Sequence, residues 1–181
     1  MNCPICRTTV LVSVQLEDQL WALTCNTCHG HWISSAKYHA WLAYHGQILP
    51  EKPYDGPPLD TSDVEQTKIC PECHRVMLRY LVGHGTGFSL DLCTGCQGVW
   101  FDPNQWQALK GRNLHDEVHL IITAPWQSKV RREEARNRID ALYEKWFQED
   151  YEEIQRIRDW VQNHPNRQRL IAFLIDRDPY R

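Results

Sequence analysis

Eight cysteines carry the most concentrated chemistry in this sequence. Cys3, Cys6, Cys25, Cys28, Cys70, Cys73, Cys93 and Cys96 form four pairs, each with two residues between its members. A tight turn across two residues aims both sulfurs at one point, so two such turns together offer four thiolates to one ion at about 2.3 Å per bond. Cys3, Cys6, Cys25 and Cys28 are expected to form one cage and Cys70, Cys73, Cys93 and Cys96 a second, with two Zn2+ ions per chain. Iron in a tetrahedral sulfur site shares these ligands and this geometry. The residues Met1, Asn2, Cys3 and Pro4 show neither the basic nor the apolar region of an export signal. The expectation is therefore a soluble, cytoplasmic protein in a reducing setting, where thiols bind metal instead of pairing as disulfides.

Other chemistries fit less well. Cys25 to His29 and Cys70 to His74 match the haem-attachment pattern of two cysteines and a following histidine. Haem would leave Cys3, Cys6, Cys93 and Cys96 without a role and normally requires export. Four thiolates close a zinc shell, whereas a catalytic zinc keeps an open position. The sequence has no phosphate-cradling glycine loop with its lysine, no nucleophile-elbow serine and no deaminase signature. His29, His31, His74 and His84 near the cysteines read as solvated or supporting residues. The expectation is a protein that is not an enzyme.

The elements that must position the thiols come in two copies. Counted from the last cysteine of each, Cys28 or Cys96, glycine stands at plus two (Gly30, Gly98) and tryptophan at plus four (Trp32, Trp100). An aromatic follows at plus ten (Tyr38, Trp106) and alanine at plus twelve (Ala40, Ala108). Between the cysteine pairs, Val10, Val12, Val14 and Leu16 alternate with neighbours that include Ser13 and Gln15, and residues 21–24 return. In the second copy Leu78, Tyr80 and Val82 alternate, residues 83–87 form a loop with three glycines, and Phe88, Leu90 and Leu92 return. Period two predicts a hairpin in each copy. So small a ribbon buries too little apolar surface to fold alone. A metal contributing on the order of 10 kcal/mol would supply the difference. Trp32 and Trp100 are expected to pack beneath the knuckles. A short helix is expected after each, capped by Asp102 with Pro103 and Gln105 in the second copy and more weakly by Ser34, with Lys37, in the first.

The motifs CPIC with CNTCHGHW, and CPEC with CTGCQGVWFD, resemble the short bacterial zinc ribbons of the transcription factor IIB type. In that family glycine, tryptophan, aspartate, an acid and leucine follow the second knuckle. Gly98, Trp100, Asp102 and Leu109 match, with Gln105 in place of the acid. The first copy keeps Gly30 and Trp32 and has Ser34 and Lys37 at the corresponding positions. The resemblance spans about residues 3–42 and 70–109. It implies a fold and a metal more than a reaction, since the bacterial members are largely binding modules.

Residues 50–68 hold four prolines, one glycine and five acids against two lysines, which predicts an extended, solvated linker. Residues 126–163 contain no glycine or proline, and Pro165 closes the run. Ile139, Tyr143, Phe147, Tyr151, Ile154 and Val161 recur at helical period, Leu142, Trp146, Ile157 and Trp160 widen the stripe, and Leu170, Ile171, Phe173 and Leu174 predict a second, short helix. The expected fold is thus a small, metal-stabilised α+β protein: two zinc ribbons, each a β-hairpin plus a short helix, then a long amphipathic helix and a short C-terminal helix. The expected domains are ribbon 1 (1–49), linker (50–68), ribbon 2 with a flanking helix (69–124) and a helical C-terminal module (125–181).

Charge and composition bound the function. Across 181 residues, 20 Lys and Arg stand against 23 Asp and Glu, so the whole chain shows no excess positive charge for gripping nucleic acid. Residues 1–50 carry two bases and two acids, and residues 69–112 four bases and three acids. Protein recognition is therefore favoured over phosphate binding by the ribbons, and no apolar run is long enough for a membrane span. The leading expectation is a non-enzymatic zinc-binding adaptor that docks on a protein partner, in transcription or RNA metabolism. The second is a nucleic-acid binder using Lys129, Arg131, Arg132, Arg136 and Arg138 with the tail arginines Arg167, Arg169, Arg177 and Arg181. The third is a thiol-based redox or metal-responsive protein. Trp41, Trp106 and Trp126 are expected in the core, with base stacking or a partner contact as the alternative.

Overall fold

Alternating apolar residues in the first copy become strands β1 (Val12–Glu17) and β2 (Leu20–Thr24), followed by β3 (His31–Ile33) and helix α1 (Ser35–His45). The second copy gives β4 (Met77–Leu81), β5 (Ser89–Cys93), β6 (Val99–Phe101) and α2 (Gln105–Gly111). Helices α3 (Val118–Ile121), α4 (Ala124–Phe147), α5 (Tyr151–Asn163) and α6 (Arg167–Ile175) complete the chain. This computed structural model describes residues 1–45, 49–61 and 63–176. Arg177 and Arg181 lie outside the described residues. The backbone forms two compact units, Met1–Arg131 and Arg132–Arg181.

The expected domain bounds place the two hairpins in different ribbons, and in the structure both hairpins belong to one sheet. Six antiparallel strands run in the order β1-β2-β3-β6-β5-β4. Each copy contributes three strands, and the copies meet where β3 pairs with β6 in the register His31 to Phe101, Trp32 to Trp100 and Ile33 to Val99. The short strand after each second knuckle is too brief to give a period-two signal, which is why spacing alone showed a hairpin and a helix but not this junction. The order reads the same from either edge, as an internal two-fold repeat requires.

Alternation along the strands divides the side chains between two faces. Ile33, Leu90, Leu92, Val99 and Phe101 join one buried cluster with Tyr38 and Trp41 of α1 and Trp106 and Leu109 of α2. Trp32, Trp100 and Met77 join a second buried cluster with cysteines of both copies. Trp41 and Trp106 are core residues in edge-to-face contact at 5.7 Å between ring centres. Trp126, half-buried, donates its Nε1–H to the Val82 carbonyl at 2.9 Å.

Most described residues of the segment 50–68 are exposed and none is in a helix or strand, as expected of an extended linker, but several contacts tie it to the rest of its unit. Lys52 N–H bonds the Arg112 carbonyl, and Asn113 and Asn104 side chains bond the carbonyls of Pro50 and Asp60. Leu59 packs against the main core, and Arg79 pairs with Asp63 at 2.6 Å. Side chains elsewhere in the unit thus satisfy backbone groups that prolines keep out of regular structure. Lys68, at the end of this segment, is 1% exposed.

The long helix expected over 126–163 is two helices. α4 ends at Phe147, Gln148 takes a left-handed φ of 45°, and a 3-10 turn, Gln148–Asp150, leads into α5. Arg158 of α5 reaches Asp140 of α4 at 3.9 Å. In a continuous helix those residues would be about 27 Å apart at 1.5 Å per residue, so α5 must fold back on α4. An unbroken helical pattern does not reveal where one unfavourable φ turns the chain.

Candidate metal centres

Each knuckle is built the same way. The first cysteine's carbonyl accepts the N–H of the residue four places on: Arg7 N to Cys3 O, His29 N to Cys25 O, His74 N to Cys70 O and Gln97 N to Cys93 O, all at 2.8–3.0 Å. Those four residues, each just after the second cysteine, have φ between 59° and 64°. Such left-handed turns bring the two sulfurs of a pair together, and the following residues then bond back to the first cysteine's N–H, as Gly30 and Gly98 do at 3.0 and 2.9 Å. His29 and His74, which complete the haem-like pattern, are turn residues here. Amides of the knuckle also point at sulfur: Cys3 Sγ accepts the N–H groups of Ile5 and Cys6, and Cys70 Sγ those of Glu72 and Cys73, at 3.3–3.4 Å.

The hairpins then bring the knuckles together in the expected sets. Cys3, Cys6, Cys25 and Cys28 form one group and Cys70, Cys73, Cys93 and Cys96 the other, with all sulfurs in a group within 4.8 Å of one another. Sγ separations of 3.5 Å (Cys3 to Cys28), 3.8 Å (Cys6 to Cys25), 3.6 Å (Cys70 to Cys96) and 3.2 Å (Cys73 to Cys93) compare with the roughly 3.8 Å edge of a tetrahedron having 2.3 Å metal–sulfur bonds. All eight cysteines are free thiols. Each group can therefore hold one zinc ion, two per chain.

Electrostatics shows what the ion supplies. Burial pushes the Cys3, Cys28, Cys70 and Cys96 thiols up. Burial acts against the charged form at Cys25 and Cys93 too, but knuckle amides and neighbouring sulfurs outweigh it and bring these thiols down to about 6 and about 7. Four sulfurs this close oppose one another's ionisation, and a divalent cation at their centre removes that penalty. In each pair the first cysteine is buried and the second half-exposed.

Trp32 and Trp100 share one buried cluster with cysteines of both groups, and the repeated glycines explain their placement. A Cβ on Gly30 would stand 2.3 Å from Cζ2 of Trp100, and one on Gly98 would stand 2.2 Å from Cζ2 of Trp32. Each tryptophan thus lies on the other copy's glycine. The copies differ in how they treat the indole nitrogen. Trp100 Nε1 donates to Asp102 Oδ1 at 2.8 Å, whereas Trp32 Nε1 has no partner among the described residues. Ser34, standing where the second copy has Asp102, supplies no equivalent carboxylate.

Asp102 has a further role that spacing did not show. α2 starts at Gln105, with Asn104 in a left-handed conformation, so Asp102 is not the residue adjoining the helix. Gln105 does reach back to the Asp102 N–H at 2.9 Å. The Asp102 carboxylate accepts Val64 N–H at 2.9 Å and Lys68 Nζ at 3.2 Å, and Lys68 also pairs with Asp91 Oδ2 at 2.6 Å and bonds the Val64 carbonyl at 2.7 Å. Burial raises the Asp91 carboxyl above the usual range, with Lys68 opposing that rise. A lysine in an acidic, proline-rich stretch reads as solvated; only long-range pairing identifies it as a buried ion.

Lys129, Arg131, Arg132, Arg136 and Arg138 all lie on α4 and are exposed, with Lys129, Arg132 and Arg136 along one strip of the helix. Arg167 and Arg169 lie on α6, also exposed. His84 stacks on Trp126 at 4.8 Å and pairs with Glu51, and His31 is lowered by burial with Nδ1 unpartnered among the described residues. No helix among the described residues is long and apolar enough to cross a membrane.

Residues 69–112 match the family model of a transcription factor zinc-finger, the TFIIB-type zinc ribbon. That match covers the second copy; the first copy is outside it and carries the other four-cysteine group. Comparison with curated proteins and with solved structures returns no match to this chain.

Proposed function

We propose that this protein is a non-enzymatic zinc-binding adaptor that docks on a protein partner, with transcription or RNA metabolism as its setting. Two features support the absence of catalysis. Four thiolates at each centre leave no coordination position for a substrate, and the half-exposed sulfurs belong to the cages themselves. The setting rests on the zinc-finger match at residues 69–112.

The observation that carries the adaptor reading is the exposed apolar surface of residues 132–176. Ile139, Leu142, Trp146, Ile157, Trp160 and Phe173 are all exposed there, and Val161 is the only buried residue among those described. So large an unpaired apolar surface marks an interaction site. The test is affinity capture with zinc-loaded protein, comparing the parent with Trp146→Glu and Trp160→Glu. A specific set of bound proteins lost in both variants is expected. Salt-dependent binding to RNA or DNA that falls when Arg131, Arg132 and Arg136 are neutralised, with no protein captured, overturns it.

A further inference from the structure

We infer that the first partner of this apolar surface is a second copy of the same chain, joined through α4 and α5 as an antiparallel four-helix bundle. The inference rests on the adaptor reading and names the occupant of its docking surface.

A helical hairpin has an inner side and an outer side. In this one the apolar residues are divided between them. Phe147, Tyr151, Ile154 and Val161 are buried or half-buried, whereas Trp146 is 65% and Trp160 57% exposed. Leu142 and Trp146 are four residues apart and share one strip of α4; Ile157 and Trp160 are three apart and share one strip of α5. With Phe173 and Leu174 of α6, these side chains leave roughly 700 Å² of largely apolar surface in water. One side of a standard interface buries about 800 Å². Two helices cannot cover each other's second stripe, and four can, which is the packing solution of helix bundles.

The charges select the occupant and its direction. The hairpin's open end carries Arg136 and Arg138 of α4 with Arg167 and Arg169 of α6, all exposed, and these outnumber the half-buried Glu133 and Glu134 of α4 at the same end. Its tip carries Glu149, Asp150, Glu152 and Glu153, also exposed. Arg156, beside the tip, pairs with Glu153 and offsets part of that charge. A surface positive at one end and negative at the other is complementary to itself when a copy is turned end for end, and repels itself when aligned in parallel. An isologous two-fold contact meets the first condition, since each end then faces the opposite end of its mate.

The experiment is sedimentation equilibrium of the full zinc-loaded chain up to roughly 100 µM, above the weak end of standard-size interfaces. The expected mass is twice 21.4 kDa. Trp146→Glu and Trp160→Glu should each weaken association at least about tenfold, which is about 1.4 kcal/mol. The paired reversal Arg136→Glu with Arg138→Glu should weaken it at low salt, and adding Glu152→Arg with Glu153→Arg to the same chain should restore it. Zinc content and helical circular dichroism are measured on every variant, so that a misfolded chain is recognised; the exposed charge reversals keep the test independent of folding. A chain that remains monomeric throughout, or a dimer indifferent to both tryptophans and to the charge reversal, overturns the inference. A monomer that still captures another protein through Trp146 and Trp160 overturns self-association while leaving the adaptor reading intact.

Discussion

Replacing Gly98 by alanine would put a methyl carbon 2.2 Å from Cζ2, 2.5 Å from Cη2 and 3.0 Å from Cε2 of Trp32. Carbon atoms settle at about 3.5–4.0 Å, so the indole must retreat by more than about 1 Å. It has nowhere to go without disturbing a cage, because Trp32 is buried in one cluster with Cys3, Cys25, Cys70 and Cys93. Overpacking of this kind costs about 1–3 kcal/mol, and the upper end applies where neighbours are tied to a metal. The assay is urea unfolding of zinc-loaded protein followed by tryptophan fluorescence, with metal content measured before and after. Trp32→Phe removes the two nearest ring atoms, and Trp32 Nε1 has no hydrogen bond among the described residues to lose. Gly98→Ala combined with Trp32→Phe should therefore cost less than the sum of the single changes by at least about 1 kcal/mol. Parental stability for Gly98→Ala within about 0.5 kcal/mol, or strict additivity in the double variant, would refute the crossed packing.

Lys68→Met should destabilise the protein by about 3–5 kcal/mol by leaving Asp91 and Asp102 buried without their cation, and Lys68→Met with Asp91→Leu should recover part of it; denaturant midpoints measure both. Burial holds the His115 imidazole below its ordinary 6.5, against the opposing influence of Glu17 and Asp116. The unfolded chain then binds the proton more tightly, so this contribution to stability is complete above about pH 6.5 and is lost as pH falls below it, by up to about 1.4 kcal/mol per pH unit. His115→Gln should flatten the stability profile below pH 6.5 relative to the parent, and an unchanged slope counts against the assignment. Cys93→Ser should leave one zinc per chain, and competition with a chromophoric chelator should show the remaining Cys3 cage releasing its ion more readily than in the parent. Equal affinity would mean that the cages do not support each other through the shared sheet.

Local spacing determined the metal sites. Two residues between paired cysteines, the left-handed residue that follows and a hairpin of matching length bring four sulfurs together without reference to the rest of the chain. The eight ligands, the hairpins, the duplicated frame and the helices that follow β3 and β6 were therefore legible in the residues. What required the tertiary structure depends on contacts between segments far apart in sequence. Gly30 and Gly98 stand at fixed distances from the cysteines, but their reason lies in the opposite copy, where Trp100 and Trp32 press on them. Lys68 carries no local sign of burial; Asp91 and Asp102, 23 and 34 residues later, create its site. Gln148 sits within a faultless helical period, and only its backbone conformation, with Arg158 meeting Asp140, turns one long stripe into two faces. Periodicity reports which side of an element is apolar, whereas what that side meets is settled by the packing of the whole chain.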